Sequence, residues 1–122
     1  MSLGSGAFQG AYSFPTRFEE SPGTNPEELI AAAHAGCYSM ALSHILSGAG
    51  FPPAAVETTA AVRLDKGADG FAITRIDLTT RGNVPGLSEA EFVKHAEAAK
   101  IGCPVSKALA AVEITLDAAL VS

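Results

Sequence analysis

Two cysteines are the side chains of this sequence best equipped for covalent chemistry. Cys37 lies inside "AHAGCYSMALS" and Cys103 inside "GCPVS". Each has an ordinary reading as a small buried hydrophobe. The alternative is a nucleophile and its resolving partner. A thiol reacts as its thiolate, which needs a nearby cation or a helix N-terminus. Cys37 falls in the middle of a predicted helix, where the dipole offers little. Cys103 directly precedes Pro104, at the start of a short helix, where free N–H groups favour an anion. Local electrostatics alone therefore favours Cys103 as the nucleophile. His34 sits three residues before Cys37 on the same helical side and could pair with a thiol. A histidine on a half-apolar helix is more often a hydrogen-bonded core residue, and that reading is preferred. His44 and His95 have no partner that sequence can show.

Other chemistries find no foothold. A zinc site would need C-x-x-C or a matching His pair, and neither occurs. There is no glycine-rich phosphate loop and no G-x-S-x-G. The net charge of −5, with no Lys/Arg cluster, argues against a nucleic-acid partner. Two cysteines about 66 positions apart do not resemble a secreted disulfide framework. The 122 residues suffice for one domain, 1–122, and 48% apolar with 17% charged content reads as globular. So small a domain leaves apolar surface exposed, and an oligomer is expected. The first six residues, "MSLGSG", read as an appended leader and are set aside. The start of the chain lacks the basic region and apolar core of a signal peptide. Leu29–Phe51 is the one candidate membrane span. It carries His34, His44 and several Ser and Gly, with Glu27 and Glu28 at its mouth, so a core or interface helix is the preferred reading.

The elements that must position these residues can be read from periodicity. In "YSFPTRF", Tyr12, Phe14 and Phe18 share one parity, which predicts a strand with Arg17 pointing away from the aromatic face. "SPGTN" predicts a turn. Asn25, Pro26 and Glu28 mark a capped helix start, and Gly48 and Gly50 end that helix near Ser47. Val56, Thr58, Ala60, Val62 and Leu64 define one face of a strand. After the turn "KGADG", the apolar phase slips near Thr74, which predicts a bulge or a strand buried on both sides. Ser88 and Glu91 open a second helix that Gly102 ends. A short third helix runs from Cys103 to about Ala110, and a last strand covers Val112 to Leu120. The order β-α-β-β-α-α-β implies an α+β fold with a mostly antiparallel sheet and a long central helix.

Four stretches in order, "FPTRFEE", "GTNPEELIAAAHAGCYSMALS", "DGFAITRIDLTT" and "KIGCPVSKAL" with the following "VEITLDAAL", resemble the OsmC/Ohr family of bacterial hydroperoxide reductases. The resemblance spans roughly Phe14 to Leu120 and is nearer the OsmC branch. It implies a cytoplasmic dithiol peroxidase without metal or flavin, acting on organic hydroperoxides and less well on hydrogen peroxide. The family's nucleophilic cysteine matches Cys37, against the electrostatic preference above, and its resolving cysteine matches Cys103. Its arginine matches Arg17 and the glutamate partner matches Glu27. Arg17 would supply the cation Cys37 lacks, and Glu27 would hold the guanidinium by a bidentate pair. A sulfenic acid at Cys37 would condense with Cys103, and an external dithiol would reduce the disulfide. Glu27 and Cys37 are ten residues apart, about 15 Å along one helix. Either Arg17 bridges that distance, or Glu27 serves the Cys37 of a second chain. The family's intertwined homodimer fits the second option, and the small residues Ala31–Ala33, Ala35, Gly36 and Ser39 would let two helices cross closely. The family pattern also places a strand or hairpin ahead of "FPTRF", where this sequence has only about a dozen residues, which leaves the completeness of the sheet open. Two rival readings remain: a non-catalytic binder of a small apolar ligand, and a redox sensor that only switches between dithiol and disulfide.

Overall fold

A computed structural model describes residues 1–18 and 22–121. The long helix α1 (Pro26–Gly48) begins where its sequence signals say it should. The Asn25 side chain accepts the Glu28 N–H at 2.8 Å, Pro26 opens the first turn, and Glu27 and Glu28 complement the N-terminal dipole. The helix stops at Gly48, and Gly50 takes a φ of +89°, which glycine alone adopts cheaply. Its buried residues are His34, Tyr38, Leu42 and Leu46, a strict fourfold spacing that forms one stripe. α1 is long and apolar enough to meet the length and composition of a membrane span. That stripe, however, lies against the sheet and the other helices.

The sheet has the order β1-β2-β3. Strands β1 (Ala55–Gly67) and β2 (Gly70–Asn83) form an antiparallel hairpin. Arg63 pairs with Arg75, but Leu64 pairs with Ile73, so Thr74 is the extra residue of a bulge. This is the phase slip read from the sequence. Beyond it Ile76, Leu78, Thr80 and Gly82 face inward, opposite Val62, Ala60, Thr58 and Val56. The chain then crosses through α2 (Glu89–Gly102) and α3 (Pro104–Ala108) into β3 (Glu113–Leu120). That crossover returns β3 parallel to β2, with Ile76 beside Ile114 and Leu78 beside Leu116. The longer ladder is thus antiparallel and the shorter one parallel. Alternation along a strand reports its face and not its direction, so sequence could not distinguish the two. The Ser88 side chain accepts the Glu91 N–H at 3.3 Å, which caps α2 as expected.

The strand expected over "YSFPTRF" does not form. Pro15–Arg17 is a single 3-10 turn, and Tyr12 makes only an isolated bridge to Thr24. Pro15 fixes the backbone at the first position of the turn. Thr16 is buried: its hydroxyl donates to the Thr24 carbonyl at 2.8 Å, and the Asn25 amide donates to the Thr16 carbonyl at 2.9 Å. Tyr12, Phe14 and Phe18, whose shared parity suggested a buried face, are all more than half exposed. The turn expected at "SPGTN" begins with Ser21, which lies outside the described residues. Ahead of it, Leu3 N–H donates to the Phe8 carbonyl and Gly10 N–H to that of Met1, both at 2.9 Å, closing a short ribbon.

Hydrogen bonds from Tyr38 and Ser39 tie the middle of α1 to α2 and to the sheet. The buried Tyr38 hydroxyl donates to the Ala96 carbonyl of α2 at 2.8 Å. Ser39 donates to Thr58 at 2.7 Å, and Thr58 lies 3.0 Å from Thr80, which extends the chain of hydroxyls from α1 through β1 to β2. Where α2 meets the sheet, Gly82 leaves room for the buried Phe92 ring. A Cβ there would lie 2.6 and 2.8 Å from two of its ring carbons. Gly82→Ala is expected to cost about 1–3 kcal/mol by overpacking. In a Phe92→Leu background the same change should cost less than about 1 kcal/mol, because the ring it strikes is gone. Urea denaturation of the four proteins measures both numbers, and equal costs in the two backgrounds would refute the contact.

Candidate active site

The fold brings Cys37 and Cys103 together. Their sulfurs lie 3.0 Å apart, as a reduced and unbonded pair. Cys37 comes from the middle of α1. Cys103 comes from the junction at which α2 ends and α3 begins, with Pro104 as the first residue of α3. Cys103 is fully buried, whereas Cys37 is partly exposed. Cys37 opens onto a cavity of about 770 Å³ lined by Ala33, Gly36, Met40, His44 and Pro104. Its lining is predominantly apolar, as suits the body of an organic substrate.

The two thiols differ in their electrostatics. Burial pushes the Cys37 thiol up, and the hydrogen bond shared with Cys103 adds to the rise, while the Val105 N–H opposes it. Burial also works against ionisation of Cys103, but hydrogen bonding from Cys37 and from the Ser106 and Val105 groups outweighs it, so its pKa is lowered. The shift at Cys103 has the direction expected of a helix start, but the hydrogen bond from Cys37 leads the lowering influences. No cation contributes to the balance at Cys37.

Arg17 and Glu27 meet each other, but elsewhere. The Arg17 Nε lies 3.1 Å from one Glu27 carboxylate oxygen and 3.3 Å from the other. The 3-10 turn aims Arg17 at the first turn of α1, where Glu27 stands. The pair lines a separate cavity of about 410 Å³ with Phe18, Asn25, Ala60 and Val62. Ten residues of helix set Glu27 about 15 Å from Cys37 along the axis and about 80° around it. Arg17, bound to Glu27, does not bridge that distance within the chain.

His34 is the hydrogen-bonded core residue that the sequence suggested. Its partner is Ser106 at 2.7 Å rather than Cys37. Ser106 is the residue that sequence reasoning missed. Its signal was its place in "CPVS", three residues after the cysteine at the N-cap position of α3. Among the described residues no cluster of three or more His, Cys, Asp or Glu gathers as a metal site.

A long capped helix laid across a three-stranded sheet, with two thiols in contact at a helix junction, defines an α+β dithiol protein. The chain belongs to the OsmC-like proteins: the family model described as "OsmC-like protein" matches residues 18–117. It is 57% identical over 109 residues to the peroxiredoxin OsmC of Escherichia coli strain K12, an alignment covering 89% of this chain and 76% of that protein. It is 32% identical over 109 residues to the organic hydroperoxide resistance protein-like 1 of Staphylococcus saprophyticus, covering 88% and 77% respectively. Among solved structures, an organic hydroperoxide resistance protein OsmC from Legionella pneumophila superposes with a TM-score of 0.83 at 26% identity, over 97% of this chain and 86% of that one. OhrB of Bacillus subtilis superposes with a TM-score of 0.79, also at 26% identity, over 96% and 87%.

The opposed shifts give a test of the thiol pair. Cys103→Ala removes one of the influences that raise Cys37, so alkylation of Cys37 by iodoacetamide should reach half its maximal rate at lower pH than in the reduced wild type. Cys37→Ala removes a hydrogen bond that favours the Cys103 anion, so the Cys103 titration should move to higher pH. Unmoved titrations in both variants would mean that the sulfurs do not interact.

Proposed function

We propose that this protein is a cysteine-based peroxidase that reduces organic hydroperoxides, and hydrogen peroxide less well, to alcohols and water. The observation that carries the reading is the 3.0 Å approach of the two sulfurs. Its support is the 57% identity to a protein named peroxiredoxin OsmC. Cys37 is the nucleophile. It faces the apolar cavity, so a hydroperoxide can reach it, whereas Cys103 is sealed. The Cys37 thiolate attacks the terminal peroxide oxygen, the O–O bond breaks, and the alkoxide leaves as alcohol after taking a proton. Cys37 is left as a sulfenic acid. Cys103 condenses with it, giving a disulfide and water, and an external dithiol restores both thiols. The cycle needs neither metal nor flavin and fits a reducing, cytoplasmic compartment.

Arg17 and Glu27 complete the site from a second copy of the chain. Within one chain they lie on another face and in another cavity. An intertwined homodimer that sets the Arg17–Glu27 pair of one protomer beside the Cys37 of the other would supply the missing cation. The guanidinium would stabilise the thiolate and donate to the peroxide oxygens, with its plane held by Glu27.

Three assays test these roles. Cys37→Ser should abolish consumption of tert-butyl hydroperoxide in the presence of a dithiol. Cys103→Ser should consume one equivalent, leaving a sulfenic acid at Cys37 that drifts to higher oxidation states, visible by mass spectrometry. Activity retained in Cys37→Ser, with the sulfenic acid on Cys103, would reverse the assignment. Turnover with the dithiol also separates an enzyme from a redox sensor or a binder.

The shared site has its own test. Glu27→Gln and Cys37→Ser homodimers should each be inactive or nearly so. Refolded together, they form heterodimers in which one site joins an intact Cys37 to an intact Glu27 of the other protomer. Activity should return, towards half of wild type per heterodimer. Cross-linked heterodimers without rescue would place each site within one chain.

A further inference from the structure

His34 and Ser106 make a buried contact to which the peroxidase cycle above gives no part. His34 is fully buried and Ser106 nearly so. Nε2 of His34 lies 2.7 Å from the Ser106 hydroxyl oxygen, whereas Nδ1 has no partner among the described residues. Burial keeps the imidazole neutral, with a single N–H. A buried N–H without an acceptor is a rarer and costlier defect than an unused lone pair. The proton therefore sits on Nε2 and is donated to Ser106 Oγ. Among the described residues no other side chain of α1 is hydrogen-bonded to a side chain of α3.

The placement of this bond matters more than its strength. His34 precedes Cys37 by three residues on α1, and Ser106 follows Cys103 by three residues into α3. The 34–106 bond and the 37–103 thiol contact are thus two rungs between the same elements, about one helical turn apart and in antiparallel register. One rung fixes a distance and leaves α3 free to pivot about it. Two rungs stop the pivot. α3 needs such a hold. Its five residues are too few for a helix to be stable by itself, and the extended ψ of 125° at Cys103 sets it off from α2. Cys103 gives it no side-chain cap. Val105 and Leu109 pack on the core, but apolar packing is non-directional.

We propose that the His34–Ser106 hydrogen bond is a clasp that holds Cys103 in register with Cys37, so that both are positioning residues for the disulfide. The proposal rests on the peroxidase reading above. In the resolving step the Cys103 sulfur attacks the sulfur of the Cys37 sulfenic acid. The S–S bond forms and the S–O bond breaks. The departing hydroxide takes the proton that Cys103 gives up and leaves as water, and the hydroperoxide reduced earlier is the only oxidant. The clasp residues touch neither sulfur and move no proton. Their part is to keep the two sulfurs near the 3.0 Å at which they already stand. A held thiol has a high effective concentration towards its partner. Releasing α3 lowers it, which slows the condensation and weakens the disulfide against the free dithiol.

Equilibration with reduced and oxidised dithiothreitol, trapped by alkylation and read by intact mass, measures the disulfide without any peroxide. Ser106→Ala and His34→Phe should each weaken it about tenfold, a shift of about 30 mV to a less negative potential. Ser106→Thr keeps the hydroxyl and His34→Gln keeps a donor near Nε2, so both should stay within about threefold of wild type. The deciding protein is the double variant His34→Phe/Ser106→Ala. Ser106→Ala strands the buried His34 N–H, and the double variant strands nothing, so urea denaturation should find the double variant the more stable. Its disulfide should nonetheless be as weak as in the single variants, because the clasp is lost once. Should Ser106→Ala not fold, Ser106→Val compared with Ser106→Thr carries the test, since the two differ by the hydroxyl and not by shape. A wild-type redox equilibrium in the variants without the bond overturns the proposal. So does a double variant whose disulfide recovers along with its stability, and so does equal weakening in His34→Phe and His34→Gln. Either would make the pair a matter of packing. A single turnover with one equivalent of tert-butyl hydroperoxide, quenched with dimedone, should show Cys37 sulfenic acid forming within about twofold of the wild-type rate in the single variants and condensing about tenfold more slowly. Failure of the wild-type protein to form any sulfenic acid refutes the peroxidase reading itself, an outcome separate from the dithiothreitol equilibrium.

Discussion

The contact between the Cys37 and Cys103 sulfurs is the constraint on which the rest of the structure turns. It joins the middle of one helix to the junction of two others, at 3.0 Å. A slip of one residue along α1 would move Cys37 about 1.5 Å along the axis and about 100° around it, enough to break the contact. The fold resists such a slip at several points. Asn25 and Pro26 fix where α1 starts. The Tyr38 hydroxyl ties the neighbouring residue of Cys37 to α2, and the chain from Ser39 through Thr58 to Thr80 ties the next to the sheet. Residues 38 and 39 thus hold position 37 by hydrogen bonds, which are directional, rather than by apolar packing alone, which is not.

The same helix keeps the Arg17–Glu27 pair away from the two thiols of its own chain. Glu27 and Cys37 share α1 but stand on different faces of it, and the Arg17–Glu27 ion pair is complete in itself. A partly exposed pair of this kind contributes only about 0.2–1 kcal/mol to stability. Its worth is more naturally sought in what the guanidinium can still donate. One Arg17 nitrogen is engaged with the carboxylate, and a guanidinium has five donors in all.

Much of this was legible in the sequence, because the relevant signals are local. The Asn25 and Ser88 caps, the glycines after α1 and the phase slip at Thr74 depend on nearest neighbours and periodicity. The segment around Arg17 was misread as a strand, because a parity of aromatic residues counts only if the face is buried. Here Tyr12, Phe14 and Phe18 are exposed, and the conformation is set by Pro15 and by the tertiary bonds of Thr16. The parallel pairing of β3 was hidden because it follows from the crossover. Ser106 was overlooked because its meaning lies in a contact with a histidine 72 positions earlier. Periodicity carries no trace of such a contact.

Local electrostatics and family resemblance point to different nucleophiles, and access weighs on the side of Cys37 in the proposed cycle. Cys103 has the better-stabilised anion, yet it is fully buried and no peroxide can meet it without opening the fold. Cys37 is less readily ionised within one chain but stands at the cavity wall. In the proposed cycle the first step selects for reach, which favours Cys37. In that proposed cycle the lowered pKa of Cys103 bears on its last step. In that proposal an incoming reductant would attack the accessible sulfur of the disulfide, that of Cys37, and expel Cys103 as the leaving group. Thiol–disulfide exchange runs faster as the leaving thiol becomes more acidic. In the proposed cycle the Ser106 and Val105 groups, which add to the hydrogen bond from Cys37 in lowering the Cys103 pKa, would therefore favour the release of Cys103 rather than compete with Cys37 for the peroxide.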